Sequence, residues 1–147
     1  YGFFVSERSS FFYRAPGDLE GFTVGVYGPS GTSAVLAEML TPGLVKQVVV
    51  DIANVNVLKK LAAGRYGDEH RVVAAINLDV GRYLVANEGI SGIRPAGDFK
   101  KVAYGIGLSR QKVSEAQFGE FNAALQELIR QGKVREILRR HGLKAAR

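Results

Sequence analysis

Leu19-Glu20-Gly21-Phe22-Thr23-Val24-Gly25-Val26-Tyr27-Gly28-Pro29-Ser30-Gly31-Thr32-Ser33-Ala34-Val35-Leu36 holds a strand, a glycine-bearing loop and a helix start in one run. Gly21 closes a turn, Phe22 to Val26 is short, apolar and β-prone, and Gly28 to Ser33 is mostly Gly and Ser/Thr. After Ser33, the residues Ala34, Val35, Leu36, Ala37, Met39 and Leu40 follow helical spacing. A loop of this kind at a helix N-terminus leaves backbone N–H groups free to cradle a carboxylate or phosphate. The expectation is a binding site for a small anion or zwitterion.

The same pattern continues outward. Tyr1 to Val5 reads as a strand, and Ser6 to Pro16 as a polar, aromatic-bearing connector. Lys46 to Ile52 is the next strand, and its unbroken Val48-Val49-Val50 predicts burial on both faces. Asn54 or Asn56 is expected to cap a helix through Val57, Leu58, Leu61 and Ala62 that stops at Gly64. Arg71 to Ile76 reads as a strand, Val80 to Ala86 as a helix, and Lys101 to Leu108 as a further strand. Ser114-Glu115-Ala116-Gln117 has the form of a capping box. The helix it opens carries Phe118, Phe121, Leu125, Leu128 and Ile129 on one stripe and ends at Gly132, before a last short helix with Val134, Ile137 and Leu138. Strands alternating with helices predict an α/β fold with a mostly parallel sheet.

At 147 residues the chain is one domain's worth, or one lobe with appendages, and it opens at Tyr1 as a piece of a longer precursor would. Its 46% hydrophobic and 23% charged residues are those of an ordinary globular chain. Without cysteine there is no disulfide and no thiolate metal site. The net charge of +6 is concentrated after Glu127: Arg130, Lys133, Arg135, Arg139, Arg140, Lys144 and Arg147 face only Glu127 and Glu136. No aromatic residue is interleaved with these cations, so they read as a solvated helix face and not as a nucleic-acid surface. His70 and His141 are far apart in sequence with no carboxylate cluster at ligand spacing, so neither a metal nor another cofactor is expected. Nor does any nucleophile–base arrangement suggest catalysis, and Asp68-Glu69-His70 reads as a surface loop.

The order of these motifs resembles the second half of a type II periplasmic solute-binding protein of the polar amino-acid class. The resemblance rests on Phe3-Phe4-Val5, Asp18-Leu19-Glu20-Gly21, Thr23-Val24-Gly25-Val26 and Gly31-Thr32-Ser33. It continues through Leu58, Leu61, Gly64 and Arg65, then Val80-Gly81-Arg82-Tyr83-Leu84, Tyr104 to Leu108, and the helix break at Gln131-Gly132-Lys133. It implies two Rossmann-like α/β lobes that close about a hinge on a small polar ligand, an amino acid or a small carboxylate. On that likeness residues 1–16 are the first crossover strand and connector, and 17–100 the ligand-binding second lobe. Residues 101–147 are the return crossover and helices that belong against a first lobe lying mostly outside the chain. The implied role is periplasmic or extracytoplasmic, as a receptor feeding an ABC-type transporter or a sensor. The membrane subunits of such a transporter are then expected partners. A dimer, a domain swap or a companion fragment would cover the apolar stripe of the Glu115 helix. A few relatives on this scaffold are dehydratases or phosphoribosyl transferases, which is the alternative reading. That reading needs a general acid or base that this half offers only in Asp79 or Asp68.

For the site, the likeness puts Thr32 and Ser33, with Ser30 and Gly31 beside them, at the ligand carboxylate. Equally, these hydroxyls cap their own helix. Asn77 stands where amino-acid binders of the family carry an Asp for the ligand's ammonium, so either Asp79 takes that role or the ligand lacks the ammonium. The plain alternative is that Asn77 and Asp79 cap the helix at Val80. Tyr13 and Arg14 lie in the connector, where Arg14 reads as a solvated cation, and Tyr27 and Tyr104 as core or hinge residues more than cleft walls.

Overall fold

Alternation with period two places each strand's side chains on two opposite faces, and the computed structural model, which describes residues 1–143, buries both of them in the three inner strands. The strands are β1 (Gly2–Ser6), β2 (Thr23–Tyr27), β3 (Gln47–Asp51), β4 (Val72–Ile76) and β5 (Ile93–Asp98). They form one sheet in the order β3-β2-β4-β1-β5. β2 pairs in parallel with β3 and with β4, whereas β1 runs antiparallel to both β4 and β5. Four strands therefore run one way and β1 alone runs the other, a mostly parallel sheet.

Helix α1 (Gly31–Met39) joins β2 to β3, α2 (Asn54–Ala62) joins β3 to β4, and α3 (Leu78–Asn87) joins β4 to β5. On one face Phe3, Val5, Val24, Val26, Val73 and Ala75 pack with Leu36 of α1. On the other, Phe4, Val72, Ala74 and Ile76 pack with Val57, Leu58 and Leu61 of α2. Because α1 and α2 lie on opposite faces, the chain turns first to one side of β2 and then crosses to the other. The switch point of the winding is thus between β2 and β4.

Some expectations need correction. Val48 and Val50 are 42% and 61% exposed, because β3 is an edge strand whose only neighbour is β2. Residues 101–108 form no strand and are mostly exposed. The last strand is β5 instead, earlier in the chain. Neither Asn54 nor Asn56 caps α2: its N-cap is Ala53, with no side-chain cap bond, and Asn56 instead donates to Asp51. The expected stop at Gly64 holds, with φ +66 just after the C-cap Ala63. Tyr13 of the connector is buried against Phe3. The Arg94 guanidinium donates to the carbonyls of Ser9 and Phe11 at 2.6 and 3.0 Å, tying the connector to β5.

The chain divides into two units, Tyr1–Val102 and a second from Ala103. The second holds α4 (Glu115–Arg130) and α5 (Lys133–Arg140). Ser114 and Gln117 close the capping box read from the sequence, and Gly132 sits between the helices at φ +75. The stripe on α4 is largely uncovered, with Phe118 51%, Leu128 45% and Ile129 48% exposed. Arg130 pairs with Glu127, and Arg140 with Glu136, so part of the tail's charge is neutralised within its own helices. Lys144 and Arg147 lie outside the described residues. No described helix is long and apolar enough to cross a membrane.

Candidate functional site

In an open parallel α/β sheet the crevice for a ligand forms at the carboxyl ends of the strands, where the winding reverses. Here that place lies between β2 and β4, neighbouring strands roughly 5 Å apart. α1 begins four residues after β2, and α3 two residues after β4, so both helix N-termini stand at this end of the sheet. The sequence-derived residues divide between these two termini: Ser30, Gly31, Thr32 and Ser33 at α1, and Asn77 and Asp79 at α3.

At α1 the capping reading holds. Ser30 is the N-cap: its Oγ accepts from the Ser33 N–H at 3.1 Å and donates to the Tyr27 carbonyl at 2.7 Å. Ser33 reciprocates, its Oγ accepting from the Ser30 N–H at 2.9 Å and lying 2.9 Å from the Ser30 carbonyl. Both hydroxyls are committed to the turn. What α1 offers a ligand is the N–H groups of Gly31 and Thr32, with the Thr32 side chain, 8% exposed, beside them. Gly31 is exposed, and a Cβ there would come within 2.6 Å of the Tyr1 hydroxyl oxygen. Glycine at this position therefore lets the Tyr1 phenol lie directly against the helix terminus.

At α3, Asn77 is the N-cap, and its Oδ1 accepts from the N–H groups of Asp79 at 2.9 Å and Val80 at 3.2 Å. Asp79 is exposed and receives the Arg82 guanidinium at 3.2 Å. Asp79 and Asp98 both bear on the Tyr1 amino group, whose burial nonetheless holds its pKa below the ordinary value. Tyr1 thus has its hydroxyl against the α1 terminus and its amino group within electrostatic reach of Asp79. Its position follows from the pairing of β1 with β4, which no local motif reveals. The Asp79–Arg82 pair, by contrast, is legible as an i, i+3 pair on a helix.

A second polar cluster sits at the end of β3. Asp51, 6% exposed, receives the Lys60 ammonium, the Ile52 N–H and the Asn56 amide. The Lys60 contact leads in holding its carboxyl below the usual carboxylate range. Nearby, Tyr66 packs over Gly25, where a Cβ would come within 2.7 Å of the ring. Burial pushes the Tyr66 phenol up to about 12, with the Asp51 charge adding to it. An Asp whose folded pKa is depressed contributes stability above its unfolded value, near ~3.9, and loses it as pH falls through the folded value. Lys60→Met is therefore expected to lower the urea midpoint at neutral pH, with the gap to the parent chain closing below about pH 4. A gap independent of pH would assign the effect to packing alone.

The remaining candidates play supporting parts. Tyr27 packs against the α2 face of the core, and Tyr104 is 74% exposed. Glu69 accepts from Ser6 and pairs with Arg8, bracing the loop that holds Asp68 and His70. Among the described residues no group of three His, Cys, Asp or Glu could hold a metal. Two surface concavities, of about 330 and 460 Å³, are lined by Asn56, Lys59, Lys60 and Arg65 and by residues around Ser6, Leu61 and Glu69. Neither includes any residue of the two helix N-termini.

No protein-family model matches the chain, and no curated protein does. Solved structures do. An ancestral arginine-binding protein bound to arginine is similar over 95% of this chain and 58% of its own, at 21% identity and a TM-score of 0.69. A mutant ArgBP from T. maritima matches over 90% of this chain and 52% of its own, at 21% identity and a TM-score of 0.63. Domain 2 of TmArgBP matches over 67% of this chain and 95% of its own, at 18% identity and a TM-score of 0.52. The chain thus spans somewhat more than half the length of the two larger proteins. The likeness establishes the fold, that of the type II solute-binding proteins, in agreement with the motif order.

Proposed function

We propose that this chain is the ligand-binding lobe of a solute-binding receptor, and that it holds a small polar ligand carrying a carboxylate at the switch point between β2 and β4. The observation that carries the reading is that α1 and α3 both begin beyond the carboxyl ends of the adjacent parallel strands β2 and β4. Each terminus presents roughly half a positive charge, and at α1 the Gly31 and Thr32 N–H groups add donors, whereas those of Asp79 and Val80 in α3 already donate to Asn77. The other support is that an ancestral arginine-binding protein of this fold has been solved bound to arginine and bound to glutamine. Ligand capture, not catalysis, is the corresponding role, with the lobe closing against a second one across a hinge.

In this reading residues 1–16 are the first crossover strand and connector, 17–100 the binding lobe, and 101–147 the return segment and helices that pack on the other lobe. The exposed stripe of α4 is then a contact surface, covered by that lobe or by a second copy of the chain. The setting is extracytoplasmic, with the membrane subunits of a transporter or a sensor as partners.

Thr32→Ala combined with Ser33→Ala is expected to weaken carboxylate binding by roughly 1–3 kcal/mol, through loss of the Thr32 hydroxyl and of the capping turn that holds the first-turn N–H groups in place. Titration calorimetry on the parent and doubly substituted chains measures it. Since Ser33 also closes the capping box, Thr32→Ala alone leaves the cap intact, and because Thr32 is buried, Thr32→Val, which keeps its volume and loses only the hydroxyl, is the control for packing. Unchanged affinity in both variants would remove α1 from the site.

A further inference from the structure

We infer that the outer edge of β3 is an association surface, on which a second copy of the chain adds its own β3 antiparallel and joins two five-stranded sheets into one. The two edges of the sheet differ. β5 carries Arg94, Pro95, Gly97 and Asp98, and the connector lies along it. There the Tyr13 N–H donates to the Ala96 carbonyl at 2.8 Å, and the Arg94 guanidinium donates to the Ser9 and Phe11 carbonyls. A proline, charges and a covering segment are devices that keep an edge from pairing with another chain. β3, whose only neighbour is β2, has no charge, proline or glycine between Lys46 and Asp51. The Asp51 carboxylate at its end is buried with Lys60.

The direction of the main-chain groups makes this edge a template. The Gly28 N–H donates to the Asp51 carbonyl at 3.1 Å, so Asp51 faces β2, and Val49 and Gln47 with it. Alternate residues of a parallel ladder turn both groups the other way, so the N–H and C=O of Val48 and Val50 point away from β2 in the plane of the sheet. Their side chains are 42% and 61% exposed, and that of Ile52 is 84% exposed. Val48 and Val50 share one face of the sheet with Val24 and Val26, their partners in β2. The pattern is self-complementary. A two-fold axis at Val49 sets Val48 of each copy opposite Val50 of the other, so each pair exchanges two main-chain bonds and the exposed aliphatic side chains meet on one face. Lys46 then comes opposite Ile52 of the other copy, beside the end that carries Asp51, and about 20 Å from its own counterpart. Parallel self-pairing would instead set Lys46 against Lys46. Both copies use the same edge, so the association closes at two.

Sedimentation velocity of the 147-residue chain over a concentration series tests this, with amide hydrogen exchange as a second readout. The expected result is a reversible monomer–dimer equilibrium in which exchange at the Val48 and Val50 amides slows as the dimer fills. Val50→Lys puts a charge against Val48 of the other copy, and Val48→Pro removes an N–H that β2 does not use. Each should raise the dimer Kd at least about tenfold while the monomer keeps its far-UV circular dichroism. Ile129→Lys, on the exposed stripe of α4, should leave that Kd unchanged, which separates this surface from the one on the second unit. A dimer of parental Kd in either β3 variant, or one abolished by Ile129→Lys, would overturn the inference. So would assembly that grows past two copies. A chain that stays monomeric up to about 0.5 mM would also overturn it, and would leave the edge to a strand of another protein.

Discussion

Phe3→Ala is expected to cost about 3–5 kcal/mol, a large share of the roughly 5–15 kcal/mol that holds a domain folded. Phe3 is fully buried in β1, an interior strand, with its ring centroid 4.9 Å from that of Tyr13 and 4.8 Å from that of Phe99. Truncation removes an aromatic side chain and leaves a cavity beneath the connector and the end of β5, both of which pack on that ring. Phe12→Ala is the control: at 57% exposed it should change stability by no more than about 0.5 kcal/mol. Urea unfolding followed by far-UV circular dichroism measures both. A Phe3 variant within about 1 kcal/mol of the parent would contradict the packing described for this face.

Gly81→Ala should destabilise the protein, although the same substitution inside an exposed helix gains about 0.5–1 kcal/mol. A Cβ at Gly81 would lie 2.5 Å from Cε2 of Phe4 and 3.2 Å from Cγ2 of Ile76. Phe4 is 1% exposed and cannot swing aside, so α3 must lift from the sheet at an overpacking cost of about 1–3 kcal/mol. The start of that helix carries Asn77 and Asp79, so the candidate site would move with it. Gly119→Ala on α4, where a Cβ meets nothing within 4 Å, should by contrast be stabilising. Thermal melts of the two variants that shift in the same direction would refute the close seating of α3.

The β2–loop–α1 unit, α3 and the α4 capping box were legible because local chemistry dictates them: an apolar β-prone run, hydroxyls at N-caps, and apolar residues at helical spacing. What escaped depended on strand order. The valine triplet of β3 has the composition of a strand buried on both faces, but composition does not say which strand will be outermost. β5 escaped for the opposite reason. Ile93-Arg94-Pro95-Ala96-Gly97-Asp98 contains a proline, a glycine and two charges, and an edge position tolerates a proline that has no N–H to give. Residues 101–108 show strand-like composition, yet no strand of the sheet pairs with them. At the site, the cap roles of Ser30 and Asn77 could be read from their spacing. The approach of Tyr1 to Gly31 could not, because it arises from pairing between segments some seventy residues apart.

That pairing also shapes how the molecule forms. β1 precedes the other described strands in the sequence but is flanked by β4 and β5, with Gly2 opposite both Ile76 and Asp98. Its hydrogen bonds must wait until most of the first unit has been made, and each closes a very long loop. Loop closure grows only with the logarithm of length, yet it must be met before the contacts return anything. The β2-α1-β3-α2-β4 segment needs only short-range crossovers and can assemble early, with a gap where β1 belongs. Until β1 inserts, one side of β4 remains an open edge and Phe3 and Phe4 stay in water. This topology predicts that β1 docks late, and its docking carries the Tyr1 hydroxyl to the start of α1.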